Sequence, residues 1–225
     1  MPLYGPAFGL QWYDLIAVLD GDIPSVDDVL PTENDKDLYE LTGYYGSGNW
    51  RAKFVDERAR ALKDQQNDVY AYQFNWGGPG SGPSPFDFIY GAGHAMEIAF
   101  FFGSDTSLWG YSFSPGNDTA GRVDLQNKMM AYLANFSHTG NPNGPGLPMW
   151  EEWTNTSGPK VIIFDSDFDE ALISMSDEEV TIAGVYLNSI LDISARQASD
   201  PIFWSFDPAV GWGWLPLWFQ WSTAE

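Results

Sequence analysis

Between Trp50 and Phe74 the apolar residues change period, and that change limits the folds open to the chain. Ala52, Phe54, Val55, Ala59 and Leu62 recur near helical spacing, while Lys53, Glu57, Arg60, Lys63 and Asp64 face elsewhere. This predicts an amphipathic helix over 50–66. Val69, Tyr70, Ala71, Tyr72 and Phe74 then form a β-favouring run with Gln73 as its polar member. Such a run suits a strand buried on both faces. A helix followed at once by a buried strand predicts an α/β fold. We expect a mostly parallel sheet flanked by helices, with 69–74 an inner strand covered on one side by the helix over 50–66.

The rest of the chain fits one α/β domain over 1–225. A short helix is expected over 10–19, with Leu15, Ile16 and Leu19 inward, and another over 34–44, with Leu38, Leu41 and Tyr45 on one side. The Gly- and Pro-rich stretch 77–85 reads as a loop. Leu125, Met129, Tyr132, Leu133 and Phe136 give an apolar stripe over 121–137, ended by Gly140 and Pro142. Residues 161–164 read as a short strand. Ser176 with Glu179 three residues later reads as a capping box opening a helix over 176–192. Val180, Ala183, Leu187, Ile190 and Leu191 would be its buried side. No internal repeat is visible. The stretch 201–225 is dense in Trp and Phe, which suits core cover, an interface or a pocket wall.

Charge removes several classes of partner. Lys plus Arg total 10 against 31 Asp plus Glu, a formal charge of −21. No basic cluster is present to release counterions from a phosphate backbone, so nucleic acid is excluded, and anionic membrane surfaces are disfavoured. At 16% aromatic residues the chain is not a disordered acidic tail. The acids are scattered among apolar residues, which favours a saline setting over an acidic docking face. No run is long and apolar enough for a membrane span, and no signal peptide is visible. The compartment stays open, extracellular and periplasmic included.

There is no Cys, so thiolate catalysis, disulfides and Cys-based metal sites are out. Asp165, Asp167, Asp169 and Glu170 resemble a calcium loop at first, but no Gly stands at its sixth position and Ile173 to Met175 follow. No metal and no cofactor are expected. Three Asn-x-Ser/Thr triplets, at Asn117, Asn135 and Asn155, read as chance matches. Ser47 and Ser84 sit in Gly-rich stretches and read as turn residues. Of the two histidines, His138 follows the helix over 121–137, where a cation suits the dipole. His94 lies in Gly91-Ala92-Gly93-His94-Ala95-Met96-Glu97-Ile98, a tight loop of the kind that carries catalytic groups.

The segment from Gly91 through His94 and Glu97 to Phe100-Phe101-Phe102-Gly103 resembles the histidine region of the type-B carboxylesterases, the α/β-hydrolase branch that includes the cholinesterases. That family writes His-Gly-x-Glu-Ile/Leu-Pro-Tyr/Phe-Val-Phe-Gly. Further blocks match in order. Upstream, Val69-Tyr70-Ala71-Tyr72-Gln73-Phe74 resembles its strand Val-Tyr-x-Tyr-x-Phe. Leu125 to Met130, Tyr132, Asn135-Phe136 and Thr139 to Asn143 resemble Met-x-x-Tyr-Trp-x-Asn-Phe-x-x-x-Gly-x-Pro, and Leu147-Pro148-Met149-Trp150 resembles Leu-Pro-x-Trp. The resemblance covers about 38–176. Ala95 stands where the family has Gly and Ala99 where it has Pro.

The resemblance implies a carboxylic-ester hydrolase working by serine acyl transfer on a small-molecule ester. His94 would be the general base, and Glu97 would hold the loop rather than act as the triad acid. Neither a Gly-x-Ser-x-Gly elbow nor a Gly-Gly-Gly oxyanion loop occurs in these residues. The chain therefore reads as a C-terminal portion, incomplete and inactive by itself. Serine and Glu would come from an upstream segment or a complementary chain. The rival reading is a non-catalytic binding module on the same scaffold. A third, a carbohydrate-binding domain, rests only on Trp and Tyr content.

Overall fold

Thr32 starts the first helix, α1 (Glu33–Arg51), in the computed structural model, which describes residues 25–78, 85–106 and 119–199. The helix expected over 10–19, Ser84 and the Trp-rich stretch 201–225 lie outside the described residues. The Thr32 hydroxyl accepts from the Asp35 N–H at 3.1 Å, and the Asp35 carboxylate accepts from the Thr32 N–H at 3.3 Å. This reciprocal cap satisfies donors that the helix itself cannot. The sequence reading ends this helix at Tyr44, in a stretch that holds Gly43, Gly46 and Gly48. The helix runs on to Arg51 instead. Each interior Gly costs about 1 kcal/mol relative to Ala. Tyr39, Leu41 and Tyr45 are buried, and a large buried side chain contributes roughly 1.5–3 kcal/mol. Packing therefore overrides propensity. A π turn (Ala52–Asp56) then joins α1 to α2 (Glu57–Lys63), so the two expected helices form one helical run.

Three strands follow in the order β1 (Tyr72–Phe74), β2 (Val161–Ser166), β3 (Ala171–Ser176). β1 lies parallel to β2, with Tyr72 beside Ile162. β2 lies antiparallel to β3, with Val161 opposite Ser176. The described sheet is mixed rather than mostly parallel, and β2, not the 69–74 run, is its inner strand. The Asp-rich turn is the reason. The Asp167 carboxylate accepts from the N–H groups of Asp169 and Glu170, each at 2.8 Å, and the chain returns directly beside β2. Those two N–H groups, Glu170 first, hold the Asp167 carboxyl below the usual carboxylate range.

Among the described residues β1 uses one edge only. The Ala71 carbonyl accepts from the Ile162 N–H at 3.0 Å, and the Asn75 N–H donates to the Phe164 carbonyl at 2.8 Å. The peptide groups of Tyr70, Tyr72 and Phe74 point the other way, where no strand lies among the described residues.

Both faces of the sheet are covered. On one, Val55 and Ala59 pack with Val69, Ala71, Val161 and Trp153, as expected of the helix over 50–66. The other face meets three helices, α3 (Phe86–Ile89), α4 (Glu97–Phe102) and α5 (Ala120–Thr139). There Ile162 and Phe164 join Phe100, Leu125, Met129 and Tyr132 in the main core. α5 matches the stripe read over 121–137, and Gly140 closes it in the left-handed region at φ 78°.

Ser176 does not cap a helix. It ends β3, and its hydroxyl accepts from the Glu178 N–H at 3.1 Å. Glu179 pairs with Arg60 and Lys160 instead of reaching back to Ser176. Helix α6 (Ile182–Ser199) starts later and belongs to a second compact unit that begins at Ile182. Its buried residues are Val185, Ser189 and Ile193, whereas Leu187 and Leu191 are exposed. The face expected to be buried is therefore rotated. No helix among the described residues is long and apolar enough to cross a membrane.

A candidate active site on the histidine turn

The chain leaves β1 at Phe74 and bends at Gly77, φ 108°. A Cβ at Gly77 would lie 2.8 Å from the Gly91 carbonyl oxygen. Glycine thus lets the chain leaving the carboxyl end of β1 press on the loop that follows α3. β2 runs parallel to β1, so this is the carboxyl end of both strands, the edge where open α/β sheets place their sites. From α1 the Tyr39 hydroxyl donates to the Ile89 carbonyl at 2.5 Å. The loop is tied to its frame before His94 is reached.

Residues 93–96 form the turn that carries His94. The Met96 N–H donates to the Gly93 carbonyl at 3.3 Å, and Ala95, third in the turn, has φ 66°. Positive φ at that place is the signature of a type II turn, and glycine is its usual occupant. Ala95 is the one non-glycine residue with positive φ among the described residues. Gly93 has no room for a side chain, because a Cβ there would sit 2.4 Å from the Tyr90 ring. Ala95 and Met96 are buried while His94 is exposed. The turn anchors itself in the core and shows its imidazole outward.

The His94 ring lies 5.4 Å from the Trp50 ring, tilted by 54°. Trp50 in turn packs on Phe54 at 4.8 Å. It stands one residue before the Arg51 that ends α1, at the edge of the π turn. Across that turn the Arg51 Nε lies 3.4 Å from Asp56 Oδ1. A spacing of five residues is brought into line by π geometry and not by an α-helix. Asp56 is fully buried, and its other carboxylate oxygen accepts from the Val180 N–H at 2.5 Å. Burial pushes the Asp56 carboxyl above its usual range, against the opposing pull of the Val180 N–H and Arg51. Arg51 also donates to Gln73 at 2.7 Å, linking the π turn to β1.

Glu97 opens α4, where a negative charge suits the first turn of a helix. The Tyr72 hydroxyl is pushed up to about 12, first by burial and then by the Glu97 charge. Burial alone pushes Tyr90 up to about 12. Both phenols around the histidine loop stay neutral at ordinary pH and present dipoles rather than charges. Glu97 therefore stands beside β1 as well as three residues beyond His94.

The remaining candidates fall elsewhere. Ser47 is not a turn residue; it lies within α1 and donates its hydroxyl to the Gly43 carbonyl at 2.6 Å. His138 sits exposed in the last turn of α5. Among the described residues no group of His, Asp and Glu could hold a metal ion. Sequence reasoning missed Trp50 as the ring beside His94 and missed the Arg51–Asp56 pair. An Arg and an Asp five residues apart carry no signal on a helical template of 3.6 residues per turn. The glycine-flanked loop and the resemblance at His94 pointed to this corner of the chain.

Comparison with known proteins bears on the family of the chain. The family model described as "Carboxylesterase family" matches residues 26–179, more than half of the chain. Bovine (Bos taurus) carboxylesterase 4A is 41% identical over 105 residues, which is 45% of this chain and 18% of that protein. The medium-chain fatty acyl-CoA hydrolase precursor of Anas platyrhynchos is 38% identical over 97 residues, 43% of this chain and 16% of that protein. Carboxylesterase 5A of Felis catus is 36% identical over 98 residues, 44% of this chain and 18% of that protein. The chain thus spans about a sixth of the length of the curated relatives it matches. With an α/β frame, a histidine turn at the carboxyl end of its parallel strands and a family match across both, the chain belongs to the carboxylesterase family.

Proposed function

We propose that this chain is the histidine-bearing part of a carboxylic-ester hydrolase, with His94 as general base and Glu97 supporting its loop. The observation that carries the reading is the exposed imidazole of His94 on a tight turn at the carboxyl end of β1 and β2. The reaction is serine acyl transfer on a small-molecule ester. The serine oxygen attacks the acyl carbon as His94 takes its proton, and the resulting imidazolium returns that proton to the departing alkoxide. Water, activated the same way, then releases the acid and frees the serine.

The serine and the triad carboxylate come from outside these 225 residues, on an upstream portion or a complementary chain. The missing Gly-x-Ser-x-Gly elbow motivates this. Among the described residues β1 is hydrogen-bonded on one side only, and a further strand can add at Tyr70, Tyr72 and Phe74. On this reading 1–225 is one partial α/β-hydrolase domain of the cholinesterase-like branch, with its family-like core over about 38–176. The test is hydrolysis of a short-chain aryl ester by the isolated chain and by the native particle. The isolated chain should show only background. Serine-inhibitor-sensitive turnover by the isolated chain would contradict the division of labour. A native particle with no turnover at all would favour a non-catalytic binding module.

A further inference from the structure

His94 is exposed and sits on a turn, so its own backbone does little to fix the imidazole plane. A ring contact on it comes from a rigid element. Trp50 projects from the end of α1, its ring 5.4 Å from His94 and 4.8 Å from Phe54. The π turn directly after it is locked from three sides. Arg51 reaches Asp56 at 3.4 Å and Gln73 at 2.7 Å, and the Asp56 carboxylate holds the Val180 N–H at 2.5 Å. π turns inside helices are frequent at functional sites, where they re-aim one side chain without ending the helix. Here the side chain that emerges beside the turn is the indole that meets the histidine.

We infer that Trp50 is a positioning residue for His94, held in place by the Arg51–Asp56 lock across the π turn. This rests on the reading of His94 as the general base. A tilted ring pair at this separation lies within the favoured range for aromatic contact. It limits the swing of the imidazole while leaving the ring's nitrogens to their hydrogen bonds. Its effect falls on the rate of proton transfer rather than on substrate affinity, because orientation enters the chemical step.

Two measurements test it together. Trp50 is 37% exposed, so replacing it leaves the core in place. In the intact chain the two histidines are separable by side-chain NMR, with His94→Gln assigning the pair and exposed His138 serving as reference. The His94 ring protons should be displaced by the indole ring current. Trp50→Leu should abolish that displacement, and Trp50→Phe should keep much of it. In the native particle, Trp50→Leu should lower kcat about three- to tenfold with KM little changed, the worth of one ring pair. Trp50→Phe should recover most of the loss. His94 signals unmoved by Trp50→Leu would overturn the inference. So would a kcat that stays at the wild-type level, or a change confined to KM, while His94→Ala abolishes turnover. Turnover unaffected by His94→Ala would instead sink the general-base reading, and this inference with it. That outcome is distinguishable because the ring-current result is independent of catalysis.

Discussion

Arg51 and Asp56 stand five residues apart in one helical run, yet Arg51 Nε lies 3.4 Å from the Asp56 carboxylate. The π turn between them makes the pair, and the pair leaves Asp56 buried with a carboxyl raised above its usual range, burial being the largest cause. A carboxyl raised on folding binds its proton more tightly in the native state. Its contribution to stability is present below the ordinary carboxylate range and is lost as pH rises through the raised value. Asp56→Asn keeps an acceptor for the Val180 N–H and removes this titration. Lowering the pH from about 7 to about 4 should therefore shift stability in favour of the wild type relative to Asp56→Asn. Urea unfolding midpoints of both proteins at the two pH values check this. A shift in favour of the variant would contradict it.

Asp124 should behave with the opposite sign. Its carboxyl is held below the usual range by the hydrogen bond from Lys128 at 2.6 Å and then by the Ala171 N–H at 3.0 Å, opposed by partial burial. That stabilisation is present above the ordinary carboxylate range and is lost as pH falls through the lowered value. Between about pH 6 and pH 3 the wild type should lose more stability than Asp124→Asn. Equal losses in the two proteins, read from the same midpoints, would show that the Asp124 link between α5 and β3 contributes nothing.

At Ala95 the backbone strain can be measured directly. Holding an alanine at φ 66° costs about 1–2 kcal/mol. Ala95→Gly relieves that strain, but it frees the unfolded chain by about 0.4–1 kcal/mol and removes a buried methyl worth about 0.8 kcal/mol. The net change should stay within about 1 kcal/mol of zero. Ala95→Val has no such offset, since a β-branched residue at positive φ is a severe outlier, and should cost more than about 2 kcal/mol. Unfolding free energies for the two variants decide it, and equal values would show that the turn relaxes away from positive φ.

Gly77→Ala should be worse still. The new Cβ would meet the Gly91 carbonyl at 2.8 Å from a backbone at φ 108°. Backbone must move, and it moves the histidine loop. A loss above about 2 kcal/mol, together with a displaced His94 resonance, is expected. An unchanged His94 environment would show that the contact does not position the loop.

The helices over 50–66 and 121–137 were legible because Ala59, Leu125, Met129 and Tyr132 follow one period and are buried, with Val55 partly so, whereas Leu62 and Phe136 of the same stripes are exposed. The 69–74 run was legible as extended chain, but its place in the sheet was not. β3 hides in an Asp-rich stretch whose outward positions include Leu172, an exposed apolar residue that blurs the alternation. Ser176 and Glu179 mimic a capping box, yet Arg60 and Lys160 claim the glutamate from 119 and 19 residues away, contacts no local window contains. Gly43, Gly46 and Gly48 suggest a break that the burial of Tyr39, Leu41 and Tyr45 overrides. His94 was singled out by its loop and its motif. Its ring neighbour Trp50, 44 residues earlier, could be found only from the fold.

The central claim is that His94 moves the proton in an ester hydrolysis completed by a serine from outside this chain. The most direct measurement is turnover of a short-chain aryl ester by the native particle, counted per active site by titration with a covalent serine inhibitor. Wild type and His94→Ala are to be compared on that basis. Removing one member of such a triad commonly leaves only residual catalysis over water, so turnover per titrated site should fall by at least about a thousandfold, with substrate binding little changed. A His94→Ala particle that keeps near-wild-type turnover per titrated site would contradict the account.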